Sequence, residues 1–181
     1  MCIRDSLTNE IRAVAAARGF RWLETRCLSY GHVLPYWPYA TLLRSLSGAR
    51  PDESPSAVRE RLQSFLAAEG ADDALPFFAR LLGLPLEGLE WVAELEPEPF
   101  RRGLHDAFLR WLTTAWSAEP VVLAIEDLHW IDTSSLALTA ELAAGARSHR
   151  VLVYATARPD ALASVESLSL NEADDLSLIH I

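Results

Sequence analysis

Lysine is missing from this chain: all 16 basic residues of the 181 are arginine. A phosphate-cradling G-x-x-x-x-G-K-[ST] loop, whose lysine meets the β/γ-phosphates, therefore has no place among these residues. Cysteine is nearly absent. Cys2 and Cys27 are too few for a disulfide framework or a thiolate zinc site, and His32 near Cys27 adds too little for zinc. No apolar run approaches the ~20 residues that span a bilayer. A secretory signal is not visible either, since Ala13–Ala17 is flanked by arginines and follows a helical pattern. Positive charge is in deficit, with a net charge of −9 and a pI near 5.0. That balance disfavours direct nucleic-acid binding, which rests on neutralising phosphates with basic side chains. There is no G-x-S-x-G nucleophile elbow, and Asp127, His129 and Ser134 lie too close in sequence to converge as a hydrolase triad. No repeat of fixed period indicates a solenoid.

What is present can build a core, because hydrophobic residues make up 50% of the chain. The most informative stretch is Val121–Asp132, VVLAIEDLHWID. Its run of β-formers reads as a buried parallel strand. The strand ends in two adjacent carboxylates, where open α/β sheets place their ligands. Neighbouring carboxylates repel and lose solvation, so a counter-cation is expected, Mg²⁺ carried by a nucleotide phosphate being the usual one. The plainer alternative is that Glu126 and Asp127 simply begin a solvated loop.

Elsewhere the pattern alternates between strand and helix. Leu7, Ile11 and Val14 recur at helical spacing over Leu7–Arg18, with Gly19 as a C-terminal stop. Phe20–Leu28 reads as a strand. Ser29–Pro38 is a turn rich in proline and aromatics; Tyr36, Trp37 and Tyr39 could stack an adenine, although packing is the simpler role. Tyr39–Leu46 begins a helix, and Ser47–Ser56 is a linker. Residues Ala57–Ala118 are helical, with Val58, Leu62, Phe65 and Leu66 facing inward and Gly70 closing the first helix. Pro76 sits early in the next helix and Leu89–Leu95 is a short third piece. Glu96–Pro99 then opens a last helix, its acids favourable to the dipole. Six tryptophans read as core residues. Asp132 or Thr133 caps a helix carrying Leu136 and Leu142. Val151–Ala155 is a further buried strand, completing a βαβ unit with a parallel pair.

Glu126–Leu136 (EDLHWIDTSSL) resembles the Walker B segment of the STAND ATPases, signal-transduction relatives of the AAA-type P-loop NTPases. The nearest likeness is to large bacterial ATPase modules joined to adenylate/guanylate cyclase or helix-turn-helix regulator domains. Cys27–Leu46, Ala74–Gly88 and Val151–Asp160 resemble the matching family stretches in the same order. The resemblance implies an α/β fold: a partial P-loop NTPase three-layer fold with a parallel sheet, the Walker B strand central, and an α-helical insertion at about 40–118. It implies ATP and Mg²⁺ as cofactors. Glu126 takes the metal-side role and Asp127 the water-side catalytic role. AAA-type enzymes usually show Asp then Glu; the order here is reversed and Asp127 is one methylene shorter than the usual base, which suits a slow switch. Arg158 takes the place of a sensor arginine on the γ-phosphate, with a salt bridge to Asp160 or a C-terminal acid as the alternative. Thr156 assists by hydrogen bonding. Trp130 packs beneath the loop and His129 is a hydrogen-bonding loop residue. The implied partners are the nucleotide and an effector domain in the same chain, a cyclase or helix-turn-helix domain, with oligomerisation on activation; no membrane is involved and the location is cytoplasmic. The rival expectation is a non-catalytic ATPase-like scaffold for protein–protein interaction.

The ends read differently. Met1–Ser6 can be encoded by ATGTGTATAAGAGACAG plus one base, and Leu176–Ile181 by its reverse complement plus one base. This pattern resembles a sequencing-library adapter translated at both ends. Residues 1–6 and 176–181 are therefore expected to be adapter-derived. Residues 7–175 are expected to be part of an AAA/STAND ATPase domain lacking its phosphate loop, and so unable to bind Mg-ATP alone.

Overall fold

A computed structural model describes residues 3–29, 34–115, 119–146 and 149–158. The expectations for His32, Asp160 and residues 176–181 fall outside them. The chain divides into two compact units, residues 1–38 with 117–181, and residues 39–116.

The first unit is an α/β unit built on a three-stranded parallel sheet. Helix α1 spans Ile3–Ala17 and stops at Gly19, whose φ of +73° suits a residue without a Cβ. Strands β1 (Arg21–Arg26), β2 (Val121–Glu126) and β3 (Val151–Ala155) line up in the order β1-β2-β3. Both pairings are parallel, with Arg26 level with Glu126 and Ile125 level with Ala155. The central place of β2 explains its composition. Val121, Val122, Leu123, Ala124 and Ile125 are all 0–1% exposed, and the four larger side chains contribute on the order of 1.5–3 kcal/mol each. Helix α7 (Thr133–Ala146) connects β2 to β3.

Strand β3 is less buried than expected. It is half-buried rather than buried, and Leu152 is 50% exposed. Among the described residues β3 pairs with β2 alone, so it is an edge strand.

The second unit is helical: α2 (Trp37–Leu46), which begins just ahead of it, α3 (Pro55–Ala68), α4 (Leu75–Leu81), α5 (Glu90–Ala93) and α6 (Pro97–Arg110). In chain order these helices fall between β1 and β2. Ser54 caps α3, its Oγ accepting from the Ala57 N–H at 3.3 Å, with Pro55 pre-set for the first turn. Val58, Leu62 and Leu66 are buried at helical spacing, while Phe65 is only half-buried. The core is aromatic: Phe108 lies 4.5 Å from Phe78 and 5.1 Å from Tyr39, ring centre to ring centre, and Trp111 is 5.8 Å from Phe78. Gly103 in α6 faces Phe77; a Cβ there would sit 2.1 Å from Cε1 of the ring. Among the described tryptophans only Trp111 is core, and Trp91 is 49% exposed. The indole is large enough to be half-covered while still packing, which is why the count of tryptophans overstated the core.

Candidate functional site

The strand order places the end of β2 at the middle of the sheet's carboxyl rim, and Glu126 is its last residue. In an extended strand, adjacent side chains point to opposite faces. Asp127 breaks that alternation: its backbone turns left-handed, φ 56° and ψ 42°, and opens the short 3-10 turn Leu128–Trp130. Asx residues tolerate this region better than most. Both carboxylates can therefore reach one partner, and they do.

That partner is Arg26, the last residue of β1. Its Nε donates to Glu126 Oε2 at 2.8 Å, its Nη2 pairs with the same oxygen, and its Nε lies 3.7 Å from Asp127 Oδ2. The carboxylates keep 13% and 18% of their side-chain surface, and the arginine 55%. The pair is thus neutralised by a protein cation. Arg26 carried no role in the sequence reading, because the parallel register that sets it level with Glu126 leaves no local signal near either residue.

Thr156 fastens the other side of the turn. Its N–H donates to Ile125 O at 3.0 Å, its carbonyl accepts from Leu128 N at 2.8 Å, and its Oγ1 accepts from Asp127 N at 3.2 Å. The hydroxyl keeps its own proton to donate. Arg158 is exposed, with its guanidinium carbon 6.0 Å from the centre of the Trp130 ring. Trp130 in turn lies 5.0 Å from the His129 ring. Glu126, Asp127, Thr156 and Arg158 thus gather around one rim, but Arg158 lies against an indole.

Asp132 settles which of two residues caps α7. It is 6% exposed; its Oδ1 accepts from Ser135 N at 2.9 Å and from Tyr36 N at 3.3 Å, and its Oδ2 from the Ser135 hydroxyl. One carboxylate thereby ties the 34–36 turn to the start of α7. Tyr36 and Tyr39 are themselves buried, at 7% and 0%, so packing and not base stacking accounts for both. Cys27, 2% exposed, follows Arg26. Burial pushes its thiol up to about 12, and the Asp132 and Asp127 carboxylates push the same way.

The metal question turns on the donor set. Among the described residues no group of three or more His, Cys, Asp or Glu could hold an ion. A lone carboxylate pair fits Mg²⁺, which is commonly bound by one or two carboxylates together with substrate phosphates rather than by an all-protein cage. Arg26 already neutralises the pair, so an ion would have to take its place. No helix among the described residues is long and apolar enough to cross a membrane.

The family model described as "AAA ATPase domain" matches residues 6–154. An uncharacterized protein of Rhizobium meliloti (strain 1021) is 30% identical over 159 residues, which cover 86% of this chain and 15% of that protein. The chain thus spans under a sixth of that relative's length. No solved structure matches.

Proposed function

This chain belongs to the AAA ATPase domain family, and from that premise we propose that it forms part of the nucleotide-binding domain of a regulatory ATPase of the STAND type, with a P-loop three-layer fold. Binding and slow hydrolysis of ATP would act as a switch on an effector domain in the same longer chain, a cyclase or helix-turn-helix regulator, with oligomerisation in the active state. A cytoplasmic location belongs to the same reading.

One observation carries it: two adjacent carboxylates stand at the carboxyl end of the central parallel strand, turned to the same side by the left-handed Asp127. Glu126 would hold Mg²⁺ and Asp127 would orient and deprotonate the attacking water. Bound Mg²⁺ supplies charge neutralisation of the phosphates. Thr156 sets the direction of Asp127 through the Asp127 N–H. Arg158, exposed beside the indole, is able to leave it for the γ-phosphate, whose three oxygens suit a guanidinium. The alternative, a non-catalytic scaffold, is favoured by Arg26 in the cation position.

The test joins this segment to an upstream G-x-x-x-x-G-K-[ST] loop. Glu126→Gln and Asp127→Asn should each cut turnover by roughly 100-fold or more, the scale of a lost general base or metal ligand, while ATP stays bound. Unchanged turnover in both would leave the scaffold standing.

A further inference from the structure

The helical unit exposes a large aromatic ring in α5. Trp91 leaves 49% of its surface open, and one edge-to-face contact, 5.8 Å between ring centres, rests it on Phe77. Glu94 ends α5 with helical backbone, φ −80° and ψ −10°, three residues on and so on the face that carries Trp91. Residues 81–100 contain no lysine, arginine or histidine, and their five acids, Glu87, Glu90, Glu94, Glu96 and Glu98, are all exposed. Glu87 pairs with Arg59 at 3.1 Å and Glu98 with Arg101 at 2.7 Å. Glu94 and Glu96 have no ion pair among the described residues. The segment is held from within by Arg80. Its Nη1 donates to the Leu95 carbonyl at 3.0 Å and to that of Val92, and its guanidinium carbon lies 4.1 Å from the centre of the Phe100 ring.

We propose that this face docks a basic segment of a partner protein, an arginine-bearing amphipathic stretch whose guanidinium lies on Trp91 and pairs with Glu94 and Glu96. The occupant follows from charge complementarity. A guanidinium gains from an indole face and from carboxylates together. Nucleic acid or an anionic membrane is repelled by the same glutamates, and a neutral apolar segment would desolvate them without a partner. Apolar surface rimmed by polar groups is the usual form of a protein docking site, and a half-exposed tryptophan is its usual anchor. Because Arg80 already fixes the carbonyls that follow Trp91, little ordering is left to be lost on binding. The proposal does not rest on the nucleotide reading, which is tested by turnover of the Glu126 and Asp127 variants.

The experiment titrates this chain into a fluorescein-labelled peptide of leucines at helical spacing separated by arginines, followed by fluorescence anisotropy. Trp91→Ala should weaken binding by about 30-fold, the scale of an aromatic anchor. Glu94→Gln with Glu96→Gln should weaken it about fivefold, the sum of two exposed charge pairs. Glu10→Gln with Glu119→Gln removes the same charge from the α/β unit and should stay within twofold. Both members of the Glu94 and Glu96 pair are exposed, so that variant is readable even if circular dichroism shows that Trp91→Ala does not fold. The proposal is overturned if the unsubstituted chain shows no saturable binding below about 100 μM. It is equally overturned if Trp91→Ala folds and binds within twofold, or if the control pair weakens binding as much as the Glu94 and Glu96 pair. Equal binding of a peptide with serine for arginine would assign the face to a neutral apolar occupant. A dimer in sedimentation that Trp91→Ala dissolves, with no peptide bound, would assign it to a second copy; either result overturns the basic partner.

Discussion

Asp132 offers the sharpest test of how the first unit is held together. Replacing it with alanine removes the acceptor for three donors: the Ser135 N–H, the Ser135 hydroxyl and the Tyr36 N–H. Loss of an N-cap costs about 1 kcal/mol. A buried N–H left without a partner costs roughly 1–3 kcal/mol more, and the site is too closed for water to replace the carboxylate freely, with Asp132 6% and Ser135 0% exposed. The sum is about 3 kcal/mol. For a chain of this size each kcal/mol moves the melting temperature by roughly 2–4 °C, so Asp132→Ala should melt roughly 6–12 °C lower. Asp132→Asn keeps the Oδ1 acceptor and turns Oδ2 into a donor that the Ser135 oxygen can accept. It should lose only about 1 kcal/mol, the gap between a charged and a neutral hydrogen bond. Urea titration followed by both tryptophan emission and far-ultraviolet circular dichroism gives the free energies. It also shows whether the two units unfold together, as a single-transition fit requires. The reasoning is refuted if the alanine variant stays within 1 kcal/mol of the parent, or if asparagine is as damaging as alanine.

Three further outcomes follow from the geometry. Gly103→Ala gains helix propensity but places a methyl 2.1 Å from the Phe77 ring; it should destabilise by about 1–3 kcal/mol, and the added change Phe77→Leu should restore part of the loss in the same titration. In a Cys2→Ser background the Cys27 thiol should stay protonated through pH 9 while the chain is folded, because its pKa is raised to about 12 from an ordinary 9.0. The fold is then favoured by the neutral thiol below pH 9 and loses that contribution as pH climbs from 9 toward 12; thiolate absorbance appearing near pH 9 in the folded chain would count against this. Leu152, half-exposed on the edge strand, should drive self-association on warming. Leu152→Arg should lower light scattering with a stability change within about 0.5 kcal/mol.

Much of this architecture was legible in the residues because it is written in local patterns. The run Val121–Ile125 announced a doubly covered strand, and the carboxylates behind it marked the rim. Gly19 and Gly70 stopped their helices where the left-handed backbone is observed. What could not be read lies in pairings across long stretches of chain. Arg26 and Glu126 are 100 residues apart, and nothing near either one specifies the register that joins them. Asp132 looked like a cap for the helix that follows it, which it is. Its bond to Tyr36, 96 residues earlier, has no local trace. Thr156 was expected to assist a ligand by hydrogen bonding; that its hydroxyl oxygen also holds the Asp127 amide had no local trace, since a threonine after a strand carries no sign of which neighbour it will bind. The burial of β3 was overestimated because hydrophobicity reports that a strand has neighbours, not how many.

The separation of Arg26 from Glu126 also has a consequence in time. Ribosomes extend chains at about 5–20 residues per second, so the 100 residues between these partners take roughly 5–20 s to emerge. Throughout that interval β1 has been made and the strand it pairs with has not. The nascent segment Arg21–Arg26, with its backbone donors and acceptors still open, has to be kept from pairing with other chains until β2 arrives, and the tunnel exit is where a chaperone would find it.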